Sequence, residues 1–283
     1  MRDEKSSFTA AFVAYARGLG HTLPQDARLM HDPFGTRFAV PIISVWPVKL
    51  WARVARTFVV YMQVRSRTFD DVVMKFIEEE GGRQIVILGA GFDCRAVRLV
   101  KRDDVKVFEI DHPATQARKK RVLSEAGATS HATYVEWDFA KRHVRELPAA
   151  LAALGFDASK PSCTLWEGVT MYLNEVAIDA SVRAVHAYAS PGSAFVFNYV
   201  EAETLAKPSL LGHLASFVVN RAGEPFTWGF NPAQLPAWLA ERGWVVEWNK
   251  GLRQLATELL TKRPDVVTWM KEHGRHTVLA RKR

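Results

Sequence analysis

The chain has 283 residues, of which 48% are hydrophobic and 24% are charged, so it can bury the core of one large domain. This composition excludes a disordered or fibrous chain. The formal net charge of +8 suggests a nucleic-acid partner, but the basic clusters are short, scattered and not interleaved with aromatic residues. We therefore expect no nucleic-acid binding.

The sequence predicts a cytoplasmic protein. Its two cysteines, Cys94 and Cys163, lie in apolar sequence without metal-ligand spacing, which indicates buried thiols in a reducing compartment and no metal site. The N-terminal stretch MRDEKSSFTA is charged and does not read as a signal peptide. The longest apolar window, residues 38 to 51, is shorter than the roughly 20 residues that span a bilayer.

Residues 1–80 predict a helical N-terminal extension that caps the substrate. Phe69, Val72, Val73, Phe76 and Ile77 recur at helical spacing. Prolines predict the breaks between the earlier helical segments, at Pro24, Pro33, Pro41 and Pro47.

Residues 81–283 predict an α/β domain with a doubly wound, seven-stranded, mostly parallel sheet, because short β-rich runs alternate with helical patterns. The runs are Gln84–Leu88, Val105–Ile110, Thr133–Trp137, Cys163–Trp166, Ala194–Tyr199, Trp244–Trp248 and Thr277–Ala280. Asn174 is placed to cap one helix, and Asn231-Pro232 and Gly243 to begin and end another. Residues 201–230 are too long for a plain connection and predict an inserted lid.

The first strand ends in Gly89-Ala90-Gly91. In an open parallel sheet this turn faces the ligand, and glycines there allow a positive φ and a close approach to the backbone. Asp111 follows about 20 residues later, at the end of the second strand, where a carboxylate would meet a ribose. The alternative is that Asp111 caps the helix that Pro113 begins.

Cys94 stands where a dinucleotide fingerprint has its third glycine. Its presence disfavours a pyrophosphate ligand and favours a cofactor without phosphates, such as S-adenosylmethionine. After the third strand, Asp138 and Phe139 suit the amino group and the ring of adenine. Glu167 ends the fourth strand inside the same crevice, although the start of a helix would also explain a carboxylate there.

These motifs resemble those of the leucine carboxyl methyltransferase-like branch of class I S-adenosylmethionine-dependent methyltransferases. QIVILGAGFDCRAVRL is similar to the glycine motif of that family, in which a hydrophobic residue, Asp, one residue and Arg follow Gly-Ala-Gly. FEIDHPATQARKK, VEWDF and EGVTMYL resemble the next three motifs in order. YMQVRSRTFDDVV is similar to an arginine-containing helix of the family, and DPFGTRFA to its N-terminal segment.

The resemblance implies a Rossmann-like fold and a set of S-adenosylmethionine-binding residues. The set is Arg65, Gly89, Ala90, Gly91, Asp111, Asp138, Phe139 and Glu167. In this assignment the glycine turn contacts the methionine part, Asp111 the ribose, and Asp138 with Phe139 the adenine. Arg65 pairs with the cofactor carboxylate and Glu167 with its amino group, while Arg67 is the alternative to Arg65 because both lie in the matching stretch.

We expect the methyl acceptor to be a small hydrophobic molecule with a carboxylate or a hydroxyl group. The aromatic residues that could line its pocket are Trp46, Trp51, Phe217, Phe226 and Trp228. A carboxylate needs only orienting groups, for which Arg65 and Tyr172 are candidates, whereas a hydroxyl benefits from a base. Histidine provides four candidates by residue type, none of which is assigned a role: His112, His131, His186 and His213.

Three rival functions stay open at the level of sequence. An NAD(P)-dependent oxidoreductase would share the glycine turn, and a catalytically silent cofactor-binding scaffold would share the whole fold. A nucleic-acid methyltransferase is the weakest of the three, because the Asn/Asp-Pro-Pro-Tyr type of motif does not follow the fourth strand. The sequence does not indicate the oligomeric state.

Overall fold

The computed structural model describes residues 8–39, 48–206, 226–270 and 274–283. Its centre is one seven-stranded sheet in the order β3-β2-β1-β4-β5-β7-β6. Strand β7 runs antiparallel to both β5 and β6, and the remaining pairs are parallel. The strands are β1 (Gln84–Leu88), β2 (Lys106–Asp111), β3 (Thr133–Glu136), β4 (Cys163–Trp166), β5 (Ala194–Val200), β6 (Trp244–Gly251) and β7 (Arg275–Lys282). The predicted doubly wound α/β sheet is confirmed.

Helices cover both faces of this sheet. They are α1 (Phe8–Gly18), α2 (Val48–Glu78), α3 (Arg95–Arg98), α4 (Pro113–Glu125), α5 (Leu147–Ala153), α6 (Glu175–Tyr188), α7 (Ala202–Ala206), α8 (Leu235–Ala240), α9 (Leu252–Leu259) and α10 (Pro264–Val267). Asn174 caps α6 as predicted, because its side chain accepts a bond from the backbone N–H of Ala177 at 2.9 Å. The predicted helix start at Asn231-Pro232 is wrong. The Asn231 side chain instead accepts from the N–H of Ala233 at 3.0 Å in a turn that precedes α8.

The central strands are apolar because they are buried from both sides. All five residues of β1 are buried, as are all four of β4. On one face the sheet packs against α5, α6 and α8, and on the other against α2 and the segment around α3. A parallel strand covered on both faces reads as a continuous hydrophobic run, which explains why these strands were recognisable in the sequence.

The N-terminal segment is attached to the loop that follows β1. The Arg17 guanidinium donates to the carbonyl of Phe92 at 2.7 Å and pairs with Asp32 at 2.5 Å. The Phe38 ring stacks on that of Phe92 with centroids 4.4 Å apart. Helix α1 and the short turn Gly35–Phe38 therefore lie directly against the glycine loop. Whether residues 1–80 cap the substrate stays a prediction, and Pro41 and Pro47 lie outside the described residues.

The two ends of the predicted insertion, residues 201–230, lie side by side. Glu201 and Phe230 form a parallel β-bridge, and the N–H of Ala202 donates to the carbonyl of Phe230 at 3.1 Å. Helix α7 begins the insertion, and residues 207–225 lie outside the described part. Over the described ranges, no helix is both long and apolar enough to cross a membrane. Cys94 and Cys163 are buried and unpaired, as predicted, and burial raises the pKa of each thiol to about 12.

Candidate functional site

The candidate site lies at the carboxyl edge of the sheet, where strand order reverses between β1 and β4. The backbone N–H groups of Gly89 and Ala90 both donate to the carbonyl of Ile110, so the glycine turn folds across the end of β2. Gly89 has a φ of +67°, and a Cβ atom there would lie 2.7 Å from Cγ2 of Val169. Only glycine combines this backbone conformation with that close approach.

Asp111 ends β2 and turns its carboxylate toward the glycine turn. One oxygen accepts from the N–H of Gly91 at 2.5 Å, and the other accepts from the N–H of His112 at 2.6 Å. Burial raises the pKa of Asp111, and the two backbone bonds offset part of that effect. The alternative role as a helix cap is wrong, because His112 caps α4 by accepting from the N–H of Ala114 at 3.2 Å. Asp111 is therefore placed to accept hydrogen bonds at the edge of the crevice.

The turn after β3 places an acid beside an exposed ring. Asp138 accepts from the N–H of Ala140 at 3.0 Å, and this bond is the main reason that its pKa is lowered. His112 approaches the same carboxylate, with Nε2 3.7 Å away. The Phe139 side chain is 47% exposed, which is unusual for a ring next to a strand end. This pair could offer a planar polar ligand both a hydrogen-bond acceptor and a stacking surface.

Glu167 follows β4 and is held between two buried arginines. Its Oε1 accepts from Nε of Arg65 at 2.8 Å, and its Oε2 lies 2.7 Å from Nη1 of Arg95. The second contact is an ion pair without hydrogen-bond alignment, so Oε2 is buried with no hydrogen-bond partner. Burial alone raises the pKa of Glu167, but Arg95 and Arg65 outweigh it and hold the pKa at about 2. The carboxylate is therefore ionised at neutral pH.

Arg65, rather than Arg67, is the arginine of α2 that faces this site. Arg65 is 6% exposed, and its Nη1 donates to the hydroxyl of Tyr61 at 3.3 Å. Its Nη2 lies 3.5 Å from the position that a Cβ of Gly168 would occupy. Arg67 points to the surface instead, where it pairs with Asp71 at 2.6 Å.

Further buried charges, not assigned a role from the sequence, hold these arginines in place. Arg95 is almost completely buried and pairs with Asp70, Asp93 and Glu167, while Arg98 also pairs with Asp70. Burial raises the pKa of Asp93, but its arginine neighbours, Arg95 first, hold it far below the usual value. The Asp-x-Arg pattern after the glycines was visible in the sequence and could have identified Asp93 and Arg95.

This arrangement fits the amino-acid end of S-adenosylmethionine. Oε2 of Glu167 is an anionic acceptor that still has no hydrogen bond, which suits an ammonium group. Nη2 of Arg65 lies beside Gly168, which has a φ of +75° and no side chain to obstruct an approaching carboxylate. Asp111 and the pair Asp138–Phe139 follow along the same edge, at the ends of β2 and β3.

The predicted acceptor residues are less clearly grouped. The Tyr172 ring contacts that of Phe226, with centroids 5.4 Å apart. Trp228 packs against Phe230 at 3.9 Å and belongs to the edge of the core, so it does not stand free in a pocket. Trp46, Phe217 and the side chain of Trp51 lie outside the described residues.

Three of the four candidate histidines from the sequence lie within the described residues. His112 caps α4, His186 packs edge-on against Trp244, and His131 is exposed, whereas His213 lies outside the described residues. Sequence reasoning missed His276, whose Nε2 lies 2.5 Å from Glu201 and whose Nδ1 is buried without a hydrogen-bond partner. No short-range motif marks this pair, since β5 and β7 bring it together.

Across the described ranges, no three His, Cys, Asp or Glu side chains are grouped to hold a metal ion.

The chain is similar in sequence to one protein family and to several individual proteins. The model of the leucine carboxyl methyltransferase family matches residues 10–186. A Streptomyces coelicolor protein, assigned by inference as an S-adenosyl-L-methionine-dependent methyltransferase, is 35% identical over 67% of this chain and 64% of its own length, which is less than two thirds of that protein. A Mycolicibacterium smegmatis protein with the same assignment is 35% identical over 84% of this chain and 82% of its own length.

Solved structures share the fold at low sequence identity. A DUF574 family protein from Streptomyces avermitilis is 14% identical, with a TM-score of 0.61 and 99% of each chain covered. A Thermobifida fusca protein, assigned by inference as a methyltransferase, is 15% identical, with a TM-score of 0.59 and coverage of 100% of this chain and 97% of its own. At these identities the likeness shows the fold alone.

Proposed function

Because the chain belongs to the leucine carboxyl methyltransferase family and is an S-adenosylmethionine-dependent methyltransferase, we propose that it methylates an oxygen atom, a carboxylate or a hydroxyl, of a small hydrophobic molecule. One observation carries the proposal. At the end of β4, the described structure gathers ion-paired arginines and carboxylates around Glu167. Such a set binds and orients a ligand, and it does not supply a strong base.

Different residues of the chain would bind different parts of the cofactor. Arg65 would hold the carboxylate and Glu167 the ammonium group, while Asp111 would accept from the ribose and Phe139 would cover the adenine. S-adenosylmethionine, when bound, supplies an electrophilic methyl group on a sulfonium. The protein's task is then to align the acceptor with that methyl and to exclude water. Helix α1 would help to exclude water, because the Cβ of Ala10 lies 3.2 Å from the position that a Cβ of Gly91 would occupy.

A carboxylate acceptor suits this site better than a hydroxyl. A carboxylate is already ionised at neutral pH and reacts without losing a proton, so orienting groups suffice. Arginine and tyrosine, the residue types around Glu167, are orienting groups. The pair His276–Glu201 is the one observation that favours a hydroxyl acceptor, because an imidazole held by a carboxylate can serve as a base.

The structure also argues against the rival oxidoreductase. A dinucleotide needs the N-terminus of a helix free to receive its pyrophosphate. Here α3 is only four residues long, and the Asp93 carboxylate accepts from the N–H of Arg95 at 2.7 Å, where a phosphate would otherwise bind. Cys94 at the third glycine position is fully buried, in line with the same conclusion.

The experiment is a transfer assay with S-adenosylmethionine that carries an isotopic label in its methyl group. Purified protein is incubated with a panel of hydrophobic carboxylic acids, phenols and amines, and the labelled products are then treated with mild alkali. We expect label in an alkali-labile methyl ester. An alkali-stable product from a phenol would favour the hydroxyl alternative, and a product from an amine would contradict oxygen methylation. Cofactor binding without transfer to any acceptor would favour the silent scaffold.

A further inference from the structure

Arg275 lies at the carboxyl edge of the sheet and has no counter-ion among the residues that the structure describes. It begins β7 and pairs in register with Val200 at the end of β5. Its guanidinium carbon lies 4.9 Å from the centre of the Tyr61 ring. Among the described residues, its side chain forms no ion pair and no hydrogen bond, and it is partly exposed.

Tyr61 connects this arginine to the proposed cofactor site. The guanidinium carbon of Arg65 lies 5.4 Å from the centre of the same ring, and the two residues are one helical turn apart on α2. One tyrosine ring therefore contacts both guanidinium groups. Arg65 is assigned to the cofactor, so Arg275 lies next to it on the side of β5 and β7, away from the glycine turn.

Charge balance distinguishes Arg275 from the other arginines nearby. Around Glu167, the guanidinium groups of Arg65, Arg95 and Arg98 are matched by the carboxylates of Asp70, Asp93 and Glu167. Bound S-adenosylmethionine would bring one carboxylate, one ammonium and one sulfonium, so it would add a net positive charge and no counter-ion for Arg275. Within the described part of the chain Arg275 would still have no ion-pair partner, because the Glu201 carboxylate near Gly274 pairs with His276 instead. A guanidinium on an aromatic face, with its forked donors open, is the group that best matches a carboxylate.

We propose that Arg275, supported by the face of Tyr61, binds the carboxylate of the methyl acceptor. This inference rests on the proposed oxygen methylation and selects the carboxylate class within it. One acceptor oxygen forms the new bond to the methyl carbon, and the bond from that carbon to sulfur breaks with its electron pair left on sulfur. The products are a methyl ester and S-adenosylhomocysteine, and no proton moves. Because the ester is uncharged, Arg275 holds the substrate more tightly than the product.

Binding of matched probes tests the proposal without knowledge of the natural acceptor. Protein saturated with S-adenosylhomocysteine is titrated with phenylacetate and with phenylacetamide, which have similar shape but differ in charge. We expect wild type to prefer the carboxylate by about tenfold or more, as a charge-assisted bidentate contact implies. Arg275→Gln should lose that preference, and Arg275→Lys should keep part of it.

Two controls separate this role from a general loss of structure or of surface charge. S-adenosylhomocysteine should bind to Arg275→Gln as it does to wild type, which shows that the variant is folded. Arg121→Gln, which removes an exposed charge on α4, should keep the carboxylate preference. The proposal is contradicted if wild type binds phenylacetate no better than phenylacetamide, including the case in which it binds neither. It is also contradicted if Arg275→Gln keeps the preference of wild type for the carboxylate.

The outcomes that would contradict the proposed function differ from those that would contradict the role of Arg275. If the transfer assay yields only products of amines or phenols while Arg275 still determines carboxylate preference, oxygen methylation to an ester is wrong and Arg275 is still an anion anchor. If esters form and Arg275→Gln leaves the KM of the acid unchanged, the ester-forming activity stands and the role of Arg275 is wrong.

Discussion

Replacement of Gly89 by alanine should destabilise the protein through two separable effects. The first is the backbone, since a φ of +67° costs an L-residue about 1–2 kcal/mol. The second is crowding, because the new Cβ would lie 2.7 Å from Cγ2 of Val169, and overpacking of this kind costs about 1–3 kcal/mol. We expect a total loss of roughly 2–5 kcal/mol in the free energy of unfolding.

Gly81 provides a matched control for the backbone effect. It has a φ of +71° and nothing within 4 Å of the position of a Cβ, so Gly81→Ala should show the backbone cost alone. The assay is urea unfolding of both variants, together with Val169→Ala and the Gly89→Ala/Val169→Ala double variant. The double variant should recover the crowding cost and retain the backbone cost. If Gly89→Ala is no less stable than Gly81→Ala, the close contact between the glycine turn and the segment after β4 is wrong.

Three further variants test the site at other points. Phe139→Ala should weaken S-adenosylhomocysteine binding about tenfold, measured by calorimetry, while Leu154→Ala, at a side chain of nearly equal exposure, should change nothing; equal effects would contradict adenine stacking. The pKa of Glu167 is about 2 in the folded protein and near 4.3 in the unfolded chain. The ionised carboxylate therefore stabilises the fold fully above about pH 4.3, and this stabilisation is lost as the pH falls toward 2. Glu167→Gln should therefore cost about 3 kcal/mol at neutral pH, and urea titrations should show this gap closing below about pH 4, whereas a constant gap would contradict the ion pair. Arg17→Met should raise amide hydrogen exchange in α1 and in the glycine loop, because it removes the bond to Phe92, and unchanged exchange would contradict that attachment.

The sequence allowed the sheet and the strand-end residues to be predicted because their signals are local. A buried run followed by glycines, and an acid at the next strand end, can be read without knowledge of the rest of the chain. The Asp111 carboxylate and the Gly89–Gly91 turn meet because parallel strands end at the same edge. Which of Arg65 and Arg67 faces Glu167 required the structure, since both lie on α2 and only the buried ion pair with Glu167 distinguishes them.

Contacts between distant segments could not be predicted. Arg275 and Tyr61 are separated by most of the chain, and their contact depends on how α2 packs against the β5–β7 edge. The pair His276–Glu201 depends on the antiparallel placement of β7, which no hydrophobic pattern specifies. The start of α8 was misplaced because Asn231 satisfies a turn with the same side chain that would cap a helix.

A crystal structure of the protein with S-adenosylhomocysteine would show how the cofactor is held at the carboxyl edge of the sheet. We predict that the ligand's carboxylate lies on Arg65 and its amino group on Oε2 of Glu167, with the ribose hydroxyls on Asp111 and the adenine against Phe139. A ligand bound away from the Gly89–Gly91 turn, or bound there with its amino-acid end turned away from Glu167, would contradict it.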